Sequence, residues 1–209
     1  MLKVFSYLSS FSILLPLVLG IFKFKRFDEI IIKPFFWFIL FTSLIEAVNF
    51  YLNLNALNNH LIFNLYAILF VIFILFVYKS EITRPFFIIG LTFSIPLFLL
   101  LLENSTIKDN TYIFTVSFTE LILLSIYILY KVYKIKVDTI FGEPVFWISF
   151  GTLLYCSCTL IVFALSKYMI NKNNPLLCSY YVYYLTSINI ITNIFYAKSF
   201  LCLKLKEKY

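Results

Sequence analysis

The chain has 209 residues, of which 62% are hydrophobic, 21% aromatic and 13% charged, and its formal net charge is +7. The charged share is about half of that in a soluble domain, and the mean hydropathy is +0.95, so a soluble globular fold is excluded. We expect a lipid bilayer, not a nucleic acid, to surround this surface. The composition predicts one all-α domain over residues 1–209, a polytopic membrane protein.

Apolar runs long enough to cross a bilayer follow one another along the chain. Proline opens three of them and precedes a fourth, as suits the first turn of a helix. Pro16 and Pro96 fall inside predicted helices and should kink them. No cleavage site follows the first run, so it is kept as a membrane span. The pattern predicts a bundle of seven transmembrane helices: Val4–Phe22, Pro34–Asn53, Leu61–Tyr78, Pro85–Leu102, Tyr112–Tyr130, Pro144–Ile170 and Leu176–Phe200.

Lysine and arginine are distributed unevenly between the two sides that these helices define. The N-terminus and the even-numbered loops hold four of the 17, and the other loops with the C-terminal end hold the remaining 13. Cytoplasmic loops are the ones enriched in Lys and Arg. The N-terminus is therefore predicted outside and the C-terminus in the cytoplasm.

Neither a metal site nor a cofactor is expected. Cysteines occur at four positions, but the chain has one histidine, and Cys156 and Cys158 lie in an apolar run where a thiol behaves as a small hydrophobe. Lys198 in the last helix has a superficial likeness to a retinal-binding lysine. It lies near the cytoplasmic end, and the third helix has no acid to serve as its counter-ion. No H-E-x-x-H or G-x-S-x-G motif occurs, so an enzyme is not expected.

Two carboxylates inside predicted helices point to a site, because a charge there is costly and usually faces a bundle interior or a wet cavity. Glu46 lies ~10 Å and Glu120 ~12 Å below the outer ends of their helices. Helix six carries a polar stripe of Thr152, Tyr155 and Thr159, and helix seven one of Thr186, Asn189, Asn193 and Tyr196. We predict an outward-facing cavity that binds a small ligand or ion, lined by Glu46, Asn49, Asn53, His60, Asn64, Glu120, Tyr155, Asn189 and Asn193.

Other roles for these residues stay open. The polar side chains can form interhelical hydrogen bonds, worth ~0.6–2 kcal/mol each, that hold the bundle together. Either glutamate can be a neutral carboxylic acid, or the two can share one proton if they meet. His60 can be an interfacial cap of its helix instead of a ligand.

The cytoplasmic side has one candidate docking segment, the predicted loop Lys131–Asp138 with the sequence KVYKIKVD. It presents Lys131, Lys134 and Lys136 to a possible signalling partner. Alternatively, these lysines only set the topology and meet anionic lipids.

The run Gly142–Leu160, GEPVFWISFGTLLYCSCTL, resembles a family of small, functionally uncharacterised seven-helix membrane proteins common in Bacteroidetes-type bacteria. Members of this family often carry an acid in helix three, where this chain reads Tyr66–Phe70 without one. Some relatives accompany sensor histidine kinases, so the resemblance implies a sensory role. The similarity extends to the stretches Glu46–Asn53 and Asn58–Tyr66 and to the pair Asn189 and Asn193.

The first functional prediction is a bacterial inner-membrane sensor or accessory protein that binds a small ligand or ion in the outward-facing cavity. The alternative is a small transporter or channel with Glu46 and Glu120 on a proton or cation path. An intramembrane enzyme or a cofactor-bound photoreceptor is the least supported reading.

Overall fold

The structure is a computed structural model that describes residues 2–24, 31–55, 57, 59–84, 87, 90, 111–135, 137–171 and 175–202. These residues are helical apart from turns and short connections. A 3₁₀ helix, Val137–Gly142, joins two of the longer helices. The α-helices are α1 (Leu2–Ser12), α2 (Leu14–Lys23), α3 (Ile32–Leu54), α4 (His60–Val77), α5 (Thr111–Ile135), α6 (Pro144–Asn171) and α7 (Pro175–Leu201).

The chain is an α-helical membrane protein. Large apolar side chains such as Leu44, Leu123 and Ile161 are exposed on the outer faces of the helices, where lipid would cover them. In the described part of the chain, α4 holds a shorter apolar stretch, Asn64–Val77, and four stretches are long and apolar enough to span a membrane: Val4–Lys23, Ile32–Leu54, Phe114–Ile135 and Pro144–Ala164. The predicted helix Pro85–Leu102 lies outside the described residues except for Phe87 and Gly90, so the count of seven stays a prediction.

Most observed boundaries agree with the predicted ones to within a few residues, and α5 is the exception. It continues through Ile135, past its predicted end at Tyr130, and the 3₁₀ helix follows. The prediction of a loop from Lys131 onward was therefore wrong, because Lys131 and Lys134 belong to the last turns of α5. Burial of Val132 keeps these turns against the core.

The first membrane-length stretch is interrupted at Ile13, between α1 and α2. Pro16 explains the position, since it has no N–H for the carbonyl of Ser12 and its ring crowds that carbonyl. Helical bonding resumes at once, because the Leu17 N–H donates to the Ile13 oxygen over 3.3 Å. The interruption lies where Pro16 should act, and a kink of the helix there stays a prediction. Pro96 lies outside the described residues.

Packing closes the described helices into a ring. Each of α2 to α6 contacts the next described helix in sequence, and α7 returns to contact both α1 and α2. Gly151 permits a close approach of α6 and α7, since a Cβ there would lie 2.9 Å from the Cε1 atom of Tyr196. Aromatic rings fill the interior: Phe38 stacks on Phe70 with centroids 5.2 Å apart, and Phe35 meets Tyr196 at 5.1 Å.

Candidate functional site

A small polar cavity lies inside the ring around Glu46. It has about 10 Å³ of free space, close to the least that one water molecule needs. Its side chains come from the turn between α1 and α2 and from α3, α4, α6 and α7. They are Ile13, Thr42, Glu46, Tyr66, Phe70, Tyr155, Asn189, Thr192, Asn193 and Tyr196.

Helical spacing explains why so many polar groups meet at this cavity. Thr42 and Glu46 are one turn apart on α3, so they share a face. On α7, Asn189, Asn193 and Tyr196 follow one another at spacings of four and three and also share a face. The two polar faces oppose each other across the ring, and the cavity lies between them.

Three side chains with hydroxyl groups lie near Glu46. One is Ser10 of α1. Tyr66 of α4 and Tyr155 of α6 are near enough to interact with it electrostatically. The carboxyl group therefore sits among polar partners drawn from three neighbouring helices.

Two threonines give the cavity unused hydrogen-bonding capacity. Thr42 and Thr192 are buried, and within the described ranges neither hydroxyl oxygen has a hydrogen-bond partner. Buried hydroxyl groups are normally satisfied by protein or by ordered water. Because both side chains line the cavity, it offers two oxygen atoms to a guest beside the Glu46 carboxyl group.

Asn189 and Asn193 attach α7 to α1. The Asn189 side-chain nitrogen donates to the Ser9 hydroxyl over 3.0 Å, and that of Asn193 donates to the Ser12 hydroxyl over 2.7 Å. Ser12 in turn donates to the Ser9 carbonyl oxygen over 2.6 Å. Each asparagine therefore acts structurally through its nitrogen, while its amide oxygen is an acceptor group on a cavity-lining side chain.

We expect the Asn193–Ser12 pair to show a measurable coupling energy. In a double-mutant cycle of Asn193→Leu and Ser12→Ala, the two effects on unfolding free energy in detergent should deviate from additivity by ~0.6–1.7 kcal/mol, the range of interhelical hydrogen bonds in membrane proteins. The pair Asn193→Leu and Thr119→Ala is the control, since Thr119 bonds within α5 to Thr115. Additive effects in both cycles would show that the hydrogen bond between Asn193 and Ser12 does not stabilise the protein.

The predicted site residues Asn49, Asn53 and Asn64 are not among the described residues that line this cavity. Asn49 is buried on α3, and its side-chain oxygen has no hydrogen-bond partner among the residues that the structure describes. Asn53 is exposed and accepts a bond of 3.3 Å from Asn59. Asn64 is fully buried in α4. His60 begins α4, and its side chain lies outside the described part.

Glu120 lines a second cavity, between α4 and α5. That cavity measures about 490 Å³, and its described lining residues include none of those around Glu46. Both carboxylate oxygens of Glu120 are buried and lack a hydrogen-bond partner among the described residues. The structure therefore assigns the two glutamates to separate sites, and it gives no support to a proton shared between them.

At the end of the ring where α4 finishes, Lys131 is part of the fold. Its ammonium group bonds to the Glu81 carboxylate over 2.8 Å and to the Glu81 carbonyl oxygen over 2.7 Å. Lys134 is exposed, and Lys136 lies outside the described residues. Of the three predicted docking lysines, Lys134 is exposed, and Lys131 is partly exposed but paired with Glu81.

Sequence reasoning missed several members of the site. Thr42 was detectable, because it precedes Glu46 by one helical turn, and so was Thr192, which lies between the two asparagines of α7. The serines of α1 gave a weaker signal, since serine is common in membrane helices and often bonds to its own backbone. The missed residues are Ser9, Ser10, Ser12, Thr42, Tyr66 and Thr192.

Comparison of the chain with protein families, with curated proteins and with solved structures finds no match. The function is therefore argued from the chemistry of the site.

Proposed function

We propose that the chain is a seven-helix, multi-pass protein of the bacterial inner membrane, a sensor or accessory protein that binds a small cation at Glu46. Its N-terminus is outside and its C-terminus in the cytoplasm, as the distribution of Lys and Arg predicts. The proposed cavity is reached from the outer side. The resemblance to small seven-helix proteins, some of which accompany sensor kinases, supports the sensory role.

One observation carries the proposal: a carboxyl group shares a cavity with two buried threonine hydroxyls that lack partners among the described residues. A purely structural hydrogen-bond network would be expected to satisfy such groups internally. Here the unsatisfied hydroxyl groups line a cavity with room for about one water molecule. A guest that binds through oxygen atoms would satisfy them.

The donor set and the free space indicate the class of guest. Carboxylate, hydroxyl and amide oxygens are hard ligands, which suit hard cations such as alkali ions. The single negative charge of Glu46 matches one positive charge. The limited space favours Li⁺ or Na⁺ over larger ions and leaves no room for an organic solute of ordinary size.

The proposal is tested by measuring the thermal unfolding midpoint of the protein purified in detergent. Chloride salts of Li⁺, Na⁺, K⁺ and Cs⁺ are compared at constant ionic strength, with choline chloride as the reference, and native mass spectrometry reports any copurified ligand. We expect Li⁺ or Na⁺ to raise the midpoint well above the choline value and Cs⁺ to leave it unchanged. Equal midpoints in all five salts would contradict a cation site.

A small transporter or channel is the second candidate, because buried hydroxyl groups extend from the Glu46 cavity toward the end of α4. Flux into proteoliposomes separates the two functions. A transporter moves the cation with no partner present, whereas a sensor binds it without flux. A path through both Glu46 and Glu120 has no geometric support, since the glutamates line separate cavities.

In the sensor reading the response passes to the basic cytoplasmic surface. Lys134 is the exposed lysine on the last turns of α5, so we assign it, with the neighbouring Lys136, to the contact with a signalling partner. Lys131 has a different role, since its ammonium group holds the end of α5 to Glu81.

A further inference from the structure

The cavity between α4 and α5 has the size and the lining of a small-molecule site. Its volume of about 490 Å³ lies within the ~300–1,000 Å³ range of pockets that hold organic ligands. Half of its ten described lining residues are aliphatic: Leu75, Ile82, Val116, Leu123 and Leu124. A cavity of this kind suits a molecule with a hydrocarbon body.

The cavity opens on the lipid-facing side of the bundle. Leu75 at its inner wall is 2% exposed, whereas Leu123 on α5 is 64% exposed. Glu120 lies nine residues after Thr111 and fifteen before Ile135, the two ends of α5, and so at least ~14 Å from each end. The opening therefore lies within the thickness of the membrane, and a ligand that enters there must be soluble in lipid.

One side chain of this apolar wall has unused hydrogen-bonding capacity. Both carboxylate oxygens of Glu120 are buried and lack a hydrogen-bond partner among the described residues. A Cβ on Gly90 would lie 2.9 Å from the Oε1 atom of Glu120, so glycine there leaves the carboxyl group its space. The described lining contains no lysine, arginine or histidine. Because a buried carboxyl group without partners is costly, a guest that donates hydrogen bonds to it would be stabilising.

The acceptor groups of the lining indicate the head group of that guest. The Thr119 hydroxyl donates to the Thr115 carbonyl oxygen over 2.7 Å, so its oxygen is left to accept a hydrogen bond. An ammonium group has three N–H donors and no acceptor, and its charge balances a carboxylate where an unpaired charge would be costly. An alcohol would leave the carboxylate charge unbalanced, and a second carboxylate would be repelled.

We propose that this cavity binds a hydrophobic amine from the bilayer. The ammonium group donates to Glu120 and Thr119, and the hydrocarbon body packs against the aliphatic side chains of α4 and α5. The inference goes beyond the cation site and does not depend on Glu46. The protein then has two sites of different chemistry, one for a small ion inside the ring and one for a lipid-soluble amine between two helices.

Binding is measured with tritium-labelled adamantylamine, a compact hydrophobic amine, by scintillation proximity on the full chain purified in detergent. Wild type should bind the label saturably, and unlabelled adamantylamine should displace it. Adamantanol has the same hydrocarbon body and a hydroxyl group. It should need at least a ~tenfold higher concentration, because the hydrogen bond between two charged groups is lost. Adamantanecarboxylic acid should not displace the label.

Glu120→Gln tests the head-group contact. The substitution keeps the size of the side chain and removes its charge, so the dissociation constant for adamantylamine should rise at least ~tenfold. The preference for the amine over adamantanol should disappear, which a merely structural role of Glu120 would not cause. Glu46→Gln makes the same chemical change in the other cavity and should bind the amine like wild type.

Leu123→Trp tests the position of the hydrocarbon body. Leu123 lines the cavity and is exposed, so the larger side chain can fill the opening without entering the core of the bundle. Amine binding should weaken roughly tenfold. Ile126→Trp is the matched control, since Ile126 is 50% exposed on the same helix and is not among the described lining residues. It should bind the amine like wild type.

The contrary outcomes are distinct from those of the cation site. The inference is overturned if wild type binds no adamantylamine saturably or if adamantanol competes as well as the amine. Wild-type affinity in both Glu120→Gln and Leu123→Trp also overturns it, as does loss of amine binding in Glu46→Gln with retention in Glu120→Gln. Stabilisation by Na⁺ is measured separately, so a failure here leaves the Glu46 result unchanged.

Discussion

Glu46→Gln should abolish the stabilisation of the protein by small cations. The substitution keeps the size of the side chain and removes the negative charge that balances the guest, so the remaining oxygen atoms of Thr42 and Thr192 cannot hold a desolvated cation alone. At a cation concentration of 100 times the dissociation constant, wild type gains ~2.7 kcal/mol in unfolding free energy. The variant should gain essentially nothing. Chemical denaturation at low and high Na⁺ measures this difference.

Glu120→Gln is the matched control for that prediction. It makes the same chemical change in a helix of the same bundle, but in the cavity between α4 and α5. Its cation-dependent gain should therefore equal that of wild type. If Glu120→Gln lost the cation-dependent gain and Glu46→Gln kept it, the cation would bind in the Glu120 cavity. That result would contradict the proposed Glu46 site.

Among the single substitutions considered, Phe38→Ala should cause the largest loss in free energy of unfolding. The ring is 1% exposed, stacks on Phe70, and lies within 6.2 Å, centroid to centroid, of Phe73 and Tyr196. Truncation of a buried phenylalanine costs ~3–5 kcal/mol, because apolar contacts are lost and a cavity remains. Unfolding in a denaturing detergent gradient measures the change in free energy.

Leu44→Ala on the same helix tests whether the loss comes from the ring interior. Leu44 is 59% exposed on the outer face of α3, so its truncation should change the free energy of unfolding by only ~0.5 kcal/mol. Equal losses for Phe38→Ala and Leu44→Ala would show that α3 does not present Phe38 to a packed interior.

The sequence predicted the helices well where a local signal marked their ends. Proline marks the starts of α6 and α7, and the helix that contains Pro16 is interrupted at Ile13. The end of α5 could not be found in this way. Its last turns contain lysines, which suggest a loop, but the Lys131–Glu81 pair is a contact between distant parts of the chain that local periodicity does not contain.

The site residues, too, could be predicted only where a local signal in the sequence was informative. Helical spacing placed Asn189 and Asn193 on one face, and the structure brings them with Glu46 and Tyr155 to one cavity. Depth below the membrane surface suggested that Glu120 would join them. Depth does not fix the direction in which a side chain points around the ring, and Glu120 belongs to another cavity. Rotation of each helix is set by packing, which one sequence does not reveal.

The most direct test of a cation at Glu46 is anomalous X-ray scattering from crystals in which Tl⁺ replaces the alkali ion. The account predicts one anomalous peak in the small cavity, bounded by the Glu46 carboxyl group and the hydroxyl oxygens of Thr42 and Thr192, and its disappearance in Glu46→Gln crystals. Because Tl⁺ is larger than Na⁺, a sodium-competition series is collected in parallel, and Na⁺ should reduce the peak. A peak beside Glu120 alone, or an empty cavity in crystals of a protein that sodium stabilises, would contradict the central claim.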